Sequence, residues 1–143
     1  LNEYIQYKEI PDQLIDVNIA SDYTKLGNML DFCKGENRLE IIDKSKINVS
    51  VSPRGLKNGI YGHNLYIMGM GGFLITDYRS ALIEEFIPGE DLIIYQDMKH
   101  LAKCVDYYLN YPEEREEIGK RAYQKIVETH SLEKRIEAIE KRI

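Results

Sequence analysis

Apolar residues recur along this chain with two different periods, which predict strands in one part of it and helices in another. The segment KINVSVS, at 46–52, alternates strictly between aliphatic and other residues, as a strand does. GFLIT, at 72–76, is apolar almost throughout, which predicts a strand buried on both faces. DLIIY, at 91–95, predicts a third strand.

Segments with helical spacing lie between these strands and after the last of them. Short helices are predicted within RLEIIDKSK, HNLYIMGM and ALIEEF, at 38–46, 63–70 and 81–86. From Asp97 onward the pattern is helical: we expect Asp97 to cap one helix, Pro112 to open a second and Ser131 to cap a third.

The first third of the chain gives weaker signals. Residues 11–20 fit a helix or a strand, and a helix is predicted over 21–35, with Ser21 as its cap and Gly35 as its end. We therefore expect 1–45 to be a helical lead-in that belongs to the same domain.

The order of these elements predicts the fold class. The segment 53–71 is long enough for a crossover between parallel strands, which needs about a dozen residues. The first two strands and the helix between them then form a βαβ unit. We predict an α/β fold over 46–143: a Rossmann-like parallel sheet with flanking helices and a helical C-terminal tail.

Composition narrows the function classes. The formal net charge of -5 argues against nucleic-acid binding as the main role of these 143 residues. No apolar run reaches the ~20 residues that span a bilayer, and no signal-peptide pattern opens the chain, so we expect a cytoplasmic protein without a membrane span. Cys33 and Cys104 lack the spacing of a metal site or a disulfide framework. Because the chain begins at Leu1 without a capping or strand signal, we expect it to be a fragment of a longer protein.

Polar residues and glycines gather where the first two strands end. Ser52, Arg54 and Lys57 follow the first strand, and Thr76, Asp77, Tyr78 and Arg79 come at the end of the second. Ligands of open parallel sheets bind beyond the carboxyl ends of the strands. A glycine-rich loop that leads into a helix at 59–63 would offer N–H groups to an anion, and the residues around it would add positive charge. This pattern favours a phosphate or diphosphate site.

The GMGG cluster at 69–72 has two interpretations. Its glycines could let backbone approach a ligand, or they could only turn a helix sharply into a strand so that the two pack closely. The spacing is not GxGxxG, and the cluster precedes the second strand instead of following the first. The residues alone leave both interpretations open.

Four segments, taken in order, resemble the C-terminal half of a glycosyltransferase of the GT-B architecture. They are SKINVSVSPRGLKNG, IMGMGGFLITDY, EEFIPGEDLIIYQD and the helical stretch that begins YYLNYPEEREEIGK, and they cover residues 45–139. The resemblance is to the glycosyl-transferases-group-1 family, in its CgeB-like (spore maturation) branch. It implies a Rossmann-like domain that binds a nucleotide diphosphate sugar without a metal or a cofactor. It also implies a missing N-terminal domain that holds the acceptor.

The resemblance and the polar strand ends together give a list of substrate contacts. The expected contacts of the sugar donor are Arg54, Lys57, His63, Tyr66, Gly71, Gly72, Thr76 and Asp77. Tyr66 stands where the family carries a carboxylate for the ribose hydroxyls, and His63 stands where close relatives favour arginine. A tyrosine cannot make the charge-assisted hydrogen bond of a carboxylate. No catalytic residue is assigned.

Other functions remain open at this stage. One alternative is an interaction or scaffold domain that has kept the fold and lost substrate binding. Another is a phosphate-sensing domain of the flavodoxin type, which would need a glycine loop directly after the first strand. A face left open by a missing domain would favour a homo-oligomer. We expect His100 to be solvated and His130 to be structural.

Overall fold

The sheet consists of parallel strands, which lie side by side in the same order as they occur in the chain. The computed structural model describes residues 15–21 and 36–142, and within them the strands are β1 (Ile15–Ser21), β2 (Ser45–Val51), β3 (Leu74–Asp77) and β4 (Ile93–Tyr95). Each neighbouring pair is parallel. All carboxyl ends therefore lie at one edge of the sheet, called the carboxyl edge below, and all amino ends lie at the opposite, amino edge.

Helices connect the strands and form the C-terminal part. They are α1 (Glu36–Lys44), α2 (Gly62–Gly69), α3 (Ser80–Glu85), α4 (Met98–Asn110), α5 (Pro112–His130) and α6 (Leu132–Glu140). The predicted α/β fold, a Rossmann-like parallel sheet with flanking helices and a helical C-terminal part, is confirmed.

The predicted helix starts are confirmed as well. The carboxylate of Asp97 accepts a hydrogen bond from the N–H of His100 at 2.8 Å, and Pro112 lies in the first turn of α5. The hydroxyl of Ser131 accepts one from the N–H of Lys134 at 3.3 Å.

The N-terminal part differs from the helical lead-in that the sequence predicts for 1–45. Ile15–Ser21 is a strand that pairs with β2 along its length, so it extends the sheet by one strand. Ser21 therefore ends a strand, and the rest of the helix predicted over 21–35 lies outside the described residues. The alternation in IDVNIAS matches the period of a strand, and pairing with β2 selects that conformation over a helix.

An apolar layer covers each face of the sheet. On one face, residues of the strands pack against α4, in a cluster of Ile47, Val49, Phe73, Ile75, Ile93, Tyr95, Cys104 and Ile118. On the other face, half of the cluster comes from α1, α2 and α3; its members are Ile42, Ile67, Met68, Leu74, Leu82, Phe86, Leu92 and Ala122. Helix α5 contributes to both clusters, through Ile118 and Ala122.

Candidate functional site

A row of buried polar side chains lies on the α2 face of β2 and β3. Ser50 and Thr76 are register partners on the two strands, and both are fully buried. Asn64, in the first turn of α2, is fully buried as well and donates from Nδ2 to the hydroxyl oxygen of Thr76 at 3.2 Å. Ser52, which directly follows β2, is nearly buried. Parallel strands are usually apolar in such positions, so this polar row needs an explanation.

Asp77 ties the ends of β2 and β3 together. Its Oδ1 accepts a hydrogen bond from the N–H of Ser52 at 2.9 Å, and its Oδ2 lies 2.8 Å from Nη2 of Arg79. The carboxylate predicted to contact a sugar donor therefore already holds two neighbouring groups. Its structural work is to fix the position of the loop that leaves β2.

That loop brings the predicted basic residues to the carboxyl edge. Arg54 and Lys57 are exposed on it, and the N–H of Ala81 donates to the carbonyl of Asn58 at 3.1 Å, which anchors the loop to α3. Helix α2 then begins at the same edge, with the half-buried His63 in its first turn and its ring stacked on Tyr61 at a centroid distance of 5.7 Å.

The first turn of α2 is suited to an anion. The side chain of the N-cap residue, Tyr61, makes no capping hydrogen bond to this turn, and no acidic residue lies in it. The first N–H groups of a helix have no partner within the helix and carry the positive end of its dipole. In α2 the N–H of Asn64 donates to the carbonyl of Tyr61 at 2.9 Å, so the groups open to an anion are those before it. These groups point towards the same edge as Arg54, Lys57 and Arg79.

Several atoms of the polar row, and one atom of Arg79, have no hydrogen-bond partner within the described residues. They are the hydroxyl oxygens of Ser50 and Ser52, Oδ1 of Asn64 and Nε of Arg79. A buried polar group without a partner costs roughly 1–3 kcal/mol. These atoms lie in the first turn of α2 and at or just after the carboxyl ends of β2 and β3, which indicates a place where a ligand or ordered water supplies the missing hydrogen bonds.

The predicted glycines lie at the opposite edge. Gly71 and Gly72 directly precede β3, whereas Thr76 and Asp77 end it, so the structure separates the two pairs by the length of the strand. Gly71 has a φ of 76°, which favours glycine. A Cβ on Gly119 of α5 would lie 2.8 Å from the carbonyl oxygen of Gly71. The glycine turn therefore packs against the backbone of this chain.

A pocket of about 220 Å³ borders the glycine turn at the amino edge. Lys46 and Arg115 line it together with Asp43 and Glu116, so basic and acidic side chains balance there. Lys46 forms an ion pair with Asp16 at 2.6 Å, and Arg115 donates to the carbonyl of Tyr108. This charge balance does not select for an anion.

Tyr66 lies on the exposed side of α2, with 51% of its surface accessible. It is one turn beyond His63, so the two side chains share a helix face. The structure thus groups Tyr66 with the loop and α2, and not with the glycine turn.

The described histidine and cysteine side chains outside this site have structural roles. Burial and, to a lesser degree, Arg135 lower the pKa of His130, whose ring lies edge-on to Phe86. His100 accepts a hydrogen bond from the N–H of Gln96 and is half-buried, so it is less solvated than expected. Burial raises the pKa of the Cys104 thiol, which disfavours the nucleophilic thiolate. Cys33 lies outside the described residues.

The list of expected contacts left out two residues of this site. Asn64 interrupts the apolar run of α2, and a polar residue on the buried face of a helix was a usable signal. Arg79 follows β3 directly, but only the structure shows its ion pair with Asp77.

Within 15–21 and 36–142, no cluster of histidine, cysteine and carboxylate side chains has the geometry of a metal site. No described helix combines the length and apolarity needed to cross a membrane.

The comparison with known families agrees with the resemblance in sequence. The model of a glycosyl transferase-like family matches residues 8–141, nearly the whole chain. The chain therefore belongs to the glycosyl transferase-like family, which indicates a role in glycosyl transfer. None of the curated proteins matches the chain.

Proposed function

We propose that this member of the glycosyl transferase-like family binds a nucleotide diphosphate sugar at its carboxyl edge. It would be the sugar-donor half of a GT-B enzyme of the CgeB-like branch, in which a separate N-terminal domain holds the acceptor. Family membership supports the chemistry in general. The choice of edge and residues rests on the geometry of this chain.

The observation that supports this proposal most strongly is the group of buried polar atoms without a described partner in the first turn of α2 and at the carboxyl ends of β2 and β3. The Ser52 hydroxyl can donate to a phosphate oxygen, and Oδ1 of Asn64 can accept from a sugar or ribose hydroxyl. A diphosphate above them would meet the helix N–H groups, with Arg54 and Lys57 alongside. Gly71 and Gly72 are left out of the proposed site, because they lie at the amino edge.

This arrangement suits glycosyl transfer. When the sugar moves to its acceptor, the bond between the sugar carbon and the diphosphate oxygen breaks, and negative charge grows on the leaving diphosphate. Positive groups and helix N–H groups fixed around that diphosphate stabilise the charge as it develops. Positioning of the acceptor belongs to the other domain, so we expect this chain alone not to transfer sugar.

A titration followed by backbone amide NMR tests the proposal. Inorganic pyrophosphate and the diphosphates UDP, GDP, dTDP and ADP are added in turn. We expect chemical-shift changes at 52–64 and 76–79, with tighter binding of one nucleotide base than of the others, and no changes at Gly71 and Gly72. Shifts confined to the amino edge, or the same weak shifts everywhere, would rule out the proposed site.

Matched lysine variants sharpen this test. Lys57→Ala should weaken binding about tenfold or less, as expected for loss of one phosphate contact, and the loss should shrink at high salt. Lys46→Ala removes a lysine at the amino edge and should leave binding unchanged. Equal effects of the two variants would mean that only overall charge matters.

A second candidate function follows from Tyr66. If the missing carboxylate has removed nucleotide binding, the domain is a scaffold or interaction module that keeps the fold. Repeating the titration on Tyr66→Glu separates the two: binding that appears only in this variant identifies an abandoned site. Binding by the wild-type chain excludes this second candidate.

A further inference from the structure

Helix α6 presents an apolar stripe that nothing in the described chain covers. None of the residues of α6 is buried. Leu132, Ile136 and Ile139 are 73%, 47% and 60% exposed. Their spacing of four and then three residues places them on one face of the helix. An aliphatic stripe of this kind on a charged helix usually packs against another helix.

The spacing also matches the seam of a coiled coil. If Leu132 and Ile139 are d positions of a heptad, Ile136 is the a position between them. The flanking g and e positions are then taken by Arg135 on one side and by Glu133 and Glu140 on the other. A helix with one basic and one acidic flank can select its partner by charge.

The ion pairs of α6 leave those flanks available. Lys134 and Glu137, which occupy outer positions of the same heptad, pair with each other at 3.1 Å. Neither Arg135 nor Glu140 forms an ion pair or a hydrogen bond through its side chain within residues 15–21 and 36–142. Their charges therefore lie beside the stripe without a described partner.

We propose that α6 is a self-association surface, on which the α6 helices of two copies of this chain pair in parallel. In a parallel pair, a g residue faces the e residue five positions later in the partner, which joins Arg135 to Glu140 on both sides of the seam. In an antiparallel pair, e faces e and g faces g, so like charges would meet. Charge complementarity thus selects both the partner and its direction.

A membrane surface fits the same stripe less well. Helices that lie on anionic membranes carry lysine and arginine along their polar face. Here Glu133 and Glu140 form an entire flank of the stripe. Three aliphatic side chains per copy make a small interface, so the dimer should be weak and depend on concentration.

Sedimentation velocity over a range of about a hundredfold in concentration tests the proposal. We expect the wild-type chain to shift reversibly from monomer to dimer, and Ile136→Asn to abolish the shift. Arg135→Glu and Glu140→Arg should each raise the dimer Kd several-fold, since each creates two repulsive contacts. The double variant R135E/E140R should restore the wild-type Kd.

The double swap K134E/E137K on the outer face is the matched control and should dimerise like the wild type. Circular dichroism checks that every variant keeps its helix content. A wild-type chain that stays monomeric overturns the proposal. So does a double variant that is no better than its single parents, since an antiparallel or purely apolar contact predicts no rescue. Binding of the wild type to vesicles of anionic lipid, lost in Ile136→Asn without any dimer, would assign the stripe to membranes instead.

Discussion

At the scale of single residues, Gly119 determines how close α5 lies to the turn before β3, and Gly72 determines how closely that turn packs on the end of α2. A Cβ on Gly72 would lie 3.0 Å from the carbonyl oxygen of Ile67, and one on Gly119 would lie 2.8 Å from that of Gly71. Both distances are shorter than normal contacts of a Cβ with backbone. The glycines thus serve close packing of the chain on itself at this edge.

Gly119→Ala should lower the free energy of unfolding by about 1–2 kcal/mol. The added methyl group meets backbone, which moves less easily than a side chain, and this overpacking outweighs the gain of about 1 kcal/mol that alanine brings to a helix. Urea denaturation measures the change. Gly69→Ala is the control, because its Cβ would meet only the side chain of Ile126, at an ordinary 3.5 Å. A destabilisation of Gly69→Ala as large as that of Gly119→Ala would contradict the argument.

The sequence raises both interpretations of the glycine cluster, ligand binding and close packing, but cannot decide between them. A dense glycine cluster predicts close approach to something, and Gly71 and Gly72 fulfil that prediction. A Cβ on Gly72 would meet Ile67 of α2, whereas the carbonyl of Gly71 lies against Gly119 of α5, a helix that begins some 40 residues later in the chain. Local pattern carries no information on such a distant contact, so the residues alone leave both the ligand and the packing interpretation open.

At the scale of elements, Asp77 holds the ends of β2 and β3 in place. Its carboxylate joins the N–H of Ser52 to the guanidinium of Arg79. Asp77 is mostly buried, at 18% side-chain exposure, so water screens these contacts only in part. The loop with Arg54 and Lys57 begins directly after this contact.

Asp77→Asn should destabilise the domain by about 1–2 kcal/mol, since a charge-assisted hydrogen bond and an ion pair are weakened together. Thermal or urea denaturation measures the effect. Asp16→Asn is the matched control: it breaks the Lys46 ion pair, whose aspartate is 67% exposed, and should change stability by about 0.5 kcal/mol or less. Equal effects of the two substitutions would show that Asp77 contributes no more than a surface ion pair.

Helices and strands with a strong local sequence signal were predicted correctly, whereas the strand that depends on pairing with a distant strand was left ambiguous. The caps at Asp97 and Ser131 and the alternation of β2 all depend on nearby residues, and all are confirmed. Ile15–Ser21 fits two conformations locally and becomes a strand because β2 offers a pairing edge. Where local propensity allows both a helix and a strand, hydrogen bonds to a distant segment select the strand.

At the scale of the whole molecule, the sequence predicted the fold, but its list of expected contacts combines residues from two opposite edges of the sheet. Arg54, Lys57, His63, Thr76 and Asp77 do gather at the carboxyl edge. Gly71 and Gly72 follow α2 closely in sequence, yet a short strand is enough to place them at the other edge. Two segments that are close in the sequence lie at opposite ends of a sheet when a strand runs from one to the other.

Stability should also depend on pH through His130, where α3, α5 and α6 come together. Burial lowers the pKa of His130 below the value of 6.5 that it has when unfolded, while Glu85, whose Oε2 lies 2.7 Å from Nε2, opposes this shift. Between these two pKa values the unfolded chain binds more protons than the folded one. The free energy of unfolding should therefore fall as the pH drops through 6.5 and towards the lower folded value.

Urea denaturation between pH 7.5 and 5 measures this dependence. His130→Gln should show a shallower loss of stability over that range than the wild type, because its side chain does not titrate. Glu85→Gln should show a steeper loss, since it removes the charge that favours the protonated imidazole. A wild-type chain that becomes more stable towards pH 5, relative to His130→Gln, would mean that the ion pair with Glu85 outweighs burial. In that case His130 would be charged in the folded protein and would act as a salt-bridge partner between α5 and α3.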